Sequence, residues 1–210
     1  MRVKLWIKNS LTYALAGLAG AAVYTLMMFL MEPDFEMGRL MNMASGYLVG
    51  IGVVMTVVVG LMDYKTTLPL ALSLGSTRKE ALIGMQLGRL AYTLVFLAAI
   101  ALLFAAGNGL GSLPVLLPIA LGAMLAMNAV GAVFGMVTVK FGKVAAVVVG
   151  VLIGLLTAGC VFAAIFFIAA DIEINGGAWL LWLVPLIGGT VYGVALIPEV
   201  KSVYHYNVKL

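Results

Sequence analysis

The chain is predicted to be an all-α integral membrane protein: a six-transmembrane-helix bundle with a short amphipathic N-terminal helix and a second short helix between spans 2 and 3. Three observations carry this. Of its 210 residues, 64% are hydrophobic and only 10% are charged, whereas a soluble domain of this size carries about 25% charged residues. That leaves too little polar material to cover a water-exposed surface. The apolar residues fall in runs long enough to cross a bilayer, which takes about 20 residues rising about 1.5 Å each. The basic residues between the runs cluster on one side.

The chain reads as one domain, 1–210, and residues 1–10 open it as an amphipathic element whose pattern continues to residue 14. Val3, Trp6, Ile7, Leu11, Tyr13 and Ala14 share one helical face; Arg2, Lys4, Lys8, Asn9 and Thr12 share the other, with Leu5 as the exception. This pattern suits a helix lying against anionic headgroups before the chain enters the membrane; a frayed basic tail is the plainer alternative. The following run, 11–31, is too long for the apolar core of a signal peptide and is followed by acidic residues, so it reads as a retained span.

The six runs are 11–31, 43–62, 90–106, 113–139, 144–170 and 179–197. The third is short, so its helix is expected to begin earlier, in the preceding loop. The fourth and fifth exceed the hydrocarbon thickness and must tilt or project. Arg2, Lys4, Lys8, Lys65, Arg78, Lys79, Arg89, Lys140, Lys143, Lys201 and Lys209 fall on one side of this layout and only Arg39 on the other. By the positive-inside rule that side is cytoplasmic, with both termini and a tail, 199–210, inside. Glu32, Asp34, Glu36, Asp171 and Glu173 then lie outside. Trp179 and Trp182, with Tyr204 and Tyr206, suit the two interfacial aromatic belts. The expected location is the cell membrane, as a multi-pass protein.

The loop 63–90 is the most structured gap. Leu68–Leu74 is apolar, with Pro69 in the first turn, where its missing N–H costs nothing. Gly75 ends that short helix as a residue tolerant of positive φ. Thr77 and Glu80 form T-x-x-E, a capping box opening a second helix, with Arg78 and Lys79 in its first turn and Arg89 further along. The short helix is expected to lie across the cytoplasmic end of the bundle. Its apolar face then fits either a partner's groove or the lipid surface.

Glycines recur at four-residue spacing in the spans, at Gly46/Gly50, Gly131/Gly135, Gly150/Gly154 and Gly189/Gly193, a pattern that lets helices cross closely and can form a dimer seam. Pro114 and Pro118 open the fourth span and Pro185 interrupts the sixth, as bends or as hinges. Of the few polar residues in the spans, Asn128 is the candidate for an interhelical hydrogen bond or a pathway contact.

Several chemistries are excluded or weakened. No Asp, Glu, Lys, Arg or His falls in the core of any run, which counts against an ion-driven carrier. Cys160 is the single cysteine and His205 the single histidine, so a disulfide within the chain is ruled out and a metal cluster finds no ligand set. No phosphate-binding loop GxxxxGK[ST], no HExxH and no nucleophile elbow occurs. No catalytic residue, no metal ligand and no cofactor site is expected, and nothing points to nucleic acid.

The stretch LPLALSLGSTRKEALIG (68–84) resembles the first intracellular loop of small ABC-2-type transporter permeases, a group that includes relatives of bacterial peptide and lantibiotic exporters. The six-span layout, the amphipathic N-terminus and the lack of an ATP site are similar as well. The resemblance covers the topology loosely and about 17 residues closely. It implies that Leu68, Pro69, Leu70, Leu72, Leu74 and Gly75 form a coupling helix docking into a separate ABC ATPase subunit, with Thr77, Arg78, Lys79 and Glu80 as its flank. ATP and Mg would belong to that partner. It also implies a second permease copy or a sister permease. The loop 32–42 and the turn 107–112 are short, so relatives with large external domains are poor guides and the cargo stays open. The alternatives are a membrane interaction or immunity protein, or a facilitator without ATPase coupling.

Overall fold

The computed structural model describes residues 3–31, 37–108, 113–169 and 182–205. Among these all regular structure is helical: α1 Val3–Met31, α2 Met37–Met62, α3 Leu68–Ser73, α4 Arg78–Asn108, α5 Leu113–Ala169 and α6 Leu183–Tyr204, with a π-helical turn, Asp63–Thr67, between α2 and α3. Among the described residues, five stretches are long and apolar enough to cross a membrane: Trp6–Met31, Ala44–Ser73, Arg78–Gly107, Leu116–Gly142 and Leu183–Tyr204. The expected fifth span, 144–170, falls in the distal arm of α5, most of whose side chains lie outside the described set. The expected sixth begins at Trp179, also outside it, as do the acidic residues 32–36 and 171–173.

Gly142 divides α5 into two arms, 113–141 and 143–169. Its φ of 79° and ψ of −164° belong to a region open essentially to glycine alone. Lys140 and Lys143 flank the break, where the sequence pattern placed a turn between spans. Pro185 is the third residue of α6, in the first turn where its missing N–H breaks no helical bond. It does not interrupt that helix. Pro118 and Pro198 lie deeper inside their helices.

The packing has two centres. The larger gathers Ala14 and Ala21 of α1, Leu48 and Val59 of α2, Tyr92, Phe96 and Ile100 of α4, and Ala120 and Met124 of α5. Tyr92 and Phe96 stack with centroids 4.8 Å apart. The smaller lies at the end of the bundle that carries both terminal segments, and joins Trp6, Tyr64, Leu68, Ala71, Ala81, Met85 and Val203. Helix α6 packs mainly along α5.

The N-terminal residues differ from expectation. They are the first turns of α1, continuous with the span, and Trp6 is buried inside the protein. Trp6, Ser10, Ala14 and Ala21 lie at helical spacing and all are buried. The trough that accepts them is cut by Gly84 and Gly88 of α4: a Cβ at either position would collide with Trp6 or Ser10. Lys4 and Lys8 stay exposed on the opposite face.

Of the glycine pairs read from the sequence, Gly131/Gly135 makes a close crossing of α5 on α2. A Cβ at Gly131 would lie 2.9 Å from Val57 Cα, and one at Gly135 2.7 Å from the Gly60 carbonyl. A second crossing, α5 on α6, uses Gly122 and Gly188. Gly46, Gly50, Gly189 and Gly193 face nothing within 4 Å.

Candidate functional site

The loop 63–90 folds as a helical hairpin with a tight elbow. Helix α2 does not stop at Met62. It passes through the π turn, where the Leu68 N–H reaches back to the Asp63 carbonyl, and continues as α3. The extra residue per turn shifts the register. Asp63 and Tyr64, then Thr67 and Leu68, all point inward. Such π turns recur at functional positions in other helices.

Gly75 then ends α3 with φ 79°. The Ser76 N–H donates to the Ala71 carbonyl at 2.9 Å and the Gly75 N–H to the Leu72 carbonyl at 3.0 Å, the paired bonds of a Schellman stop. Two residues on, the capping box is formed: the Thr77 N–H donates to Glu80 Oε2 at 2.9 Å and the Glu80 N–H to Thr77 Oγ1 at 3.2 Å. The reversal from α3 to α4 is thus held by four hydrogen bonds local in sequence.

The residues proposed for coupling separate into two groups. Leu68 is fully buried and packs with Trp6, Tyr64 and Met85, and Leu72 is half-buried against the same cluster. The face that the sequence left without a core therefore has one, supplied by α1, α4 and α6. Leu70 is 48% and Leu74 63% exposed. Gly75, Thr77, Arg78 and Lys79 are exposed as well, and Pro69 and Glu80 are intermediate. The elbow's outer surface is apolar along α3 and basic at the start of α4. Helix α3 is not a separate rod across the bundle end but the end of the second span's own helix.

Behind the elbow lies a buried ionic network that sequence reasoning did not assemble. The Tyr192 hydroxyl of α6 donates to Gln86 Oε1 of α4. Gln86 Nε2 donates to Glu199 Oε2 of α6 at 3.0 Å. Arg89 Nη1 stands 2.8 Å from Glu199 Oε1, paired by charge though off the line of a hydrogen bond. Arg89 Nε donates to Asp63 Oδ2 at 2.9 Å. The Arg89 and Glu199 side chains are each 1% exposed and that of Asp63 7%. Arg89 Nη2 and the Tyr64 hydroxyl are buried without a hydrogen-bond partner.

In the sequence reading Asp63 opens the loop 63–90, Arg89 lies one residue from its end and Glu199 opens the tail, so all three pass as solvated charges. A signal was present. Ala81, Met85, Arg89, Tyr92, Phe96 and Ile100 recur at steps of three and four and are all buried, so Arg89 is a cation on an apolar face. Gly188, Ala195, Glu199 and Val203, at steps of seven, four and four, mark the buried face of α6 in the same way.

Asn128 of α5 donates from Nδ2 to Thr93 Oγ1 of α4 at 3.1 Å, both residues buried. Its Oδ1 has no partner. Towards the other end of the bundle an apolar groove of about 460 Å³ runs between α1, α2 and α4, lined by Leu18, Ala21, Thr25, Phe29, Leu48 and Leu103 among others. Thr25 spends its hydroxyl on the Ala21 carbonyl, which leaves a surface suited to an acyl or other apolar chain. Among the described residues no three His, Cys, Asp or Glu side chains gather where they could hold a metal ion.

Compared with protein-family models, with curated proteins and with solved structures, the chain finds no match.

Proposed function

We propose that this chain is the membrane-spanning permease subunit of an ATP-binding-cassette exporter, a six-span bundle with both termini cytoplasmic that couples to a separate ATPase subunit. The observation that supports it is the elbow. Leu70 and Leu74 present apolar side chains beside Arg78 and Lys79, on a reversal stiffened by its own hydrogen bonds. An apolar helix end with a basic flank fits a groove on a partner protein. Closure of two ATPase subunits on ATP would push on α3. Because α3 runs into α2 and is tied to α4, the push would reach both spans at once. ATP and Mg act in the partner, and this chain contributes the path and no bond chemistry. A pair of permeases, two copies or one with a sister chain, would enclose the path. The cargo class is a peptide or other amphipathic compound, for which the apolar groove is a suitable surface.

The alternative is a facilitator or membrane interaction protein without ATPase coupling. The buried ionic network is the observation on its side, since a polar junction between helices can switch without an engine. Co-expression with an ATPase encoded beside this chain tests the main reading. A stable complex whose hydrolysis responds to amphipathic peptides is expected. Failure of any such ATPase to bind the chain in nanodiscs, with the bundle intact, contradicts it.

A further inference from the structure

We propose that Asp63, Arg89 and Glu199 form a proton-binding site, in which two carboxylates held by one guanidinium share a single proton. The inference is independent of the ATPase reading. It begins with a charge count. Two carboxylates and one cation sum to −1 when all are ionised, and none of the three side chains exceeds 7% exposure. Among the described residues no other cation takes part in the network, whose remaining members are Gln86, Tyr192 and the neighbouring Tyr64. Of the elements packed beside it, α5 brings Gly135 and Met136 and α1 brings Trp6 and Ser10, none of which carries a charge. An uncompensated charge sealed from water is costly, and carboxylates that share a site relieve the cost by keeping a proton.

A metal ion is a poorer answer. Two carboxylates offer too few oxygens for a hard cation's coordination shell, and the guanidinium occupies the space between them. A proton needs no room. The two carboxylates are also unequal. Glu199 receives Gln86 Nε2 on one oxygen and faces Arg89 Nη1 with the other, whereas Asp63 receives Arg89 Nε. Asp63 accepts a charge-assisted hydrogen bond, whereas Glu199 accepts a neutral one from Gln86 and its Oε1 is held by charge alone. Asp63 is the member nearest water, at 7% exposure against 1%, so the proton is placed there, reached from the bundle end that carries both terminal segments. The proton would govern how firmly α6 holds α4, because the described polar contacts between those helices run through Gln86, Arg89, Tyr192 and Glu199.

Infrared difference spectroscopy of the full chain in nanodiscs, scanned through neutral pH, tests this. The wild type is expected to show the carbonyl stretch of a protonated carboxylic acid at neutral pH. Asp63→Asn removes the acid itself. Glu199→Gln removes the charge excess, leaving Asp63 ionised opposite Arg89, so the band is expected to vanish in both variants. A wild-type spectrum without that band at neutral pH overturns the proposal and requires no variant to fold. A band that survives in either variant overturns it too, since the proton would then lie elsewhere or be held without Glu199.

Discussion

Gln86 and Glu199 are 113 positions apart in the chain, and a 3.0 Å hydrogen bond joins them. Through Glu199 the bond links α6 to Arg89, and through Arg89 to Asp63 at the end of α2. Three helices that follow different parts of the sequence thus meet on one guanidinium.

Removing that guanidinium is expected to be severe. Arg89→Met leaves two buried carboxylates without a cation, and breaking a buried pair in this way costs about 3–5 kcal/mol. The triple variant Asp63→Asn, Arg89→Met, Glu199→Gln carries no charge and is expected to regain most of the loss. Equilibrium denaturation in mixed micelles measures both. A single variant within about 0.5 kcal/mol of wild type, the usual range for a surface substitution, would show that the network carries no stability.

Trp6 offers a separate check on the N-terminal segment. Gly84→Leu fills the trough under the indole and is expected to expel it. In a background of Trp179→Phe and Trp182→Phe, Trp6 fluorescence should shift to the red and become open to a water-soluble quencher. An unchanged, shielded emission would mean that the segment does not depend on the glycine trough.

The elbow variants separate docking from folding. Leu70→Asp and Leu74→Asp change exposed side chains and should abolish ATPase co-purification while leaving the bundle's melting intact. Leu68→Asp places a carboxylate in the cluster around Trp6 and Tyr64 and should destabilise the chain itself. Gly75→Val forces a β-branched residue to positive φ, a strain of about 1–3 kcal/mol, and should weaken coupling. Thr77→Ala loses one cap, worth about 1 kcal/mol. Arg39→Ala, at the other end of the bundle, is the control. Full ATPase association in both Leu70→Asp and Leu74→Asp would remove the elbow's outer face from the coupling role.

Asn128 and Thr93 form one hydrogen bond between α5 and α4. A double-mutant cycle with Asn128→Ala and Thr93→Val should give a coupling of about 0.6 kcal/mol, the usual value for such bonds in membrane bundles. A selective loss of transport, with that coupling near zero, would instead mark Asn128 as a pathway residue.

Orientation can be read by labelling. In a Cys160→Ala background, Asp34→Cys should react with an impermeant thiol reagent in intact cells and Lys79→Cys should not. The reverse result would invert the topology, place the elbow outside and remove the ATPase reading with it.

The elements legible in the sequence share a physical origin. The helical membrane class followed from long apolar runs, because backbone groups in lipid must bond within their own segment. The elbow followed from Gly75, Thr77 and Glu80, because a Schellman stop and a capping box close over three to five residues. Those interactions do not depend on the rest of the chain.

What the sequence left open needed neighbours from afar. Whether Trp6 faces lipid or protein depended on Gly84 and Gly88, which cut a trough of the right width in another helix. Whether Leu68 was a docking residue or a core residue depended on the π turn, which rotates α3 relative to α2. Asp63, Arg89 and Glu199 each sit at the edge of an apolar run, where a solvated charge is ordinary. Sequence alone determined the helical membrane class and the elbow at Gly75, Thr77 and Glu80, because those outcomes are settled by residues within a few positions of one another. Only the tertiary structure decided that the three charges are buried together, because that depends on how three helices are rotated about their axes.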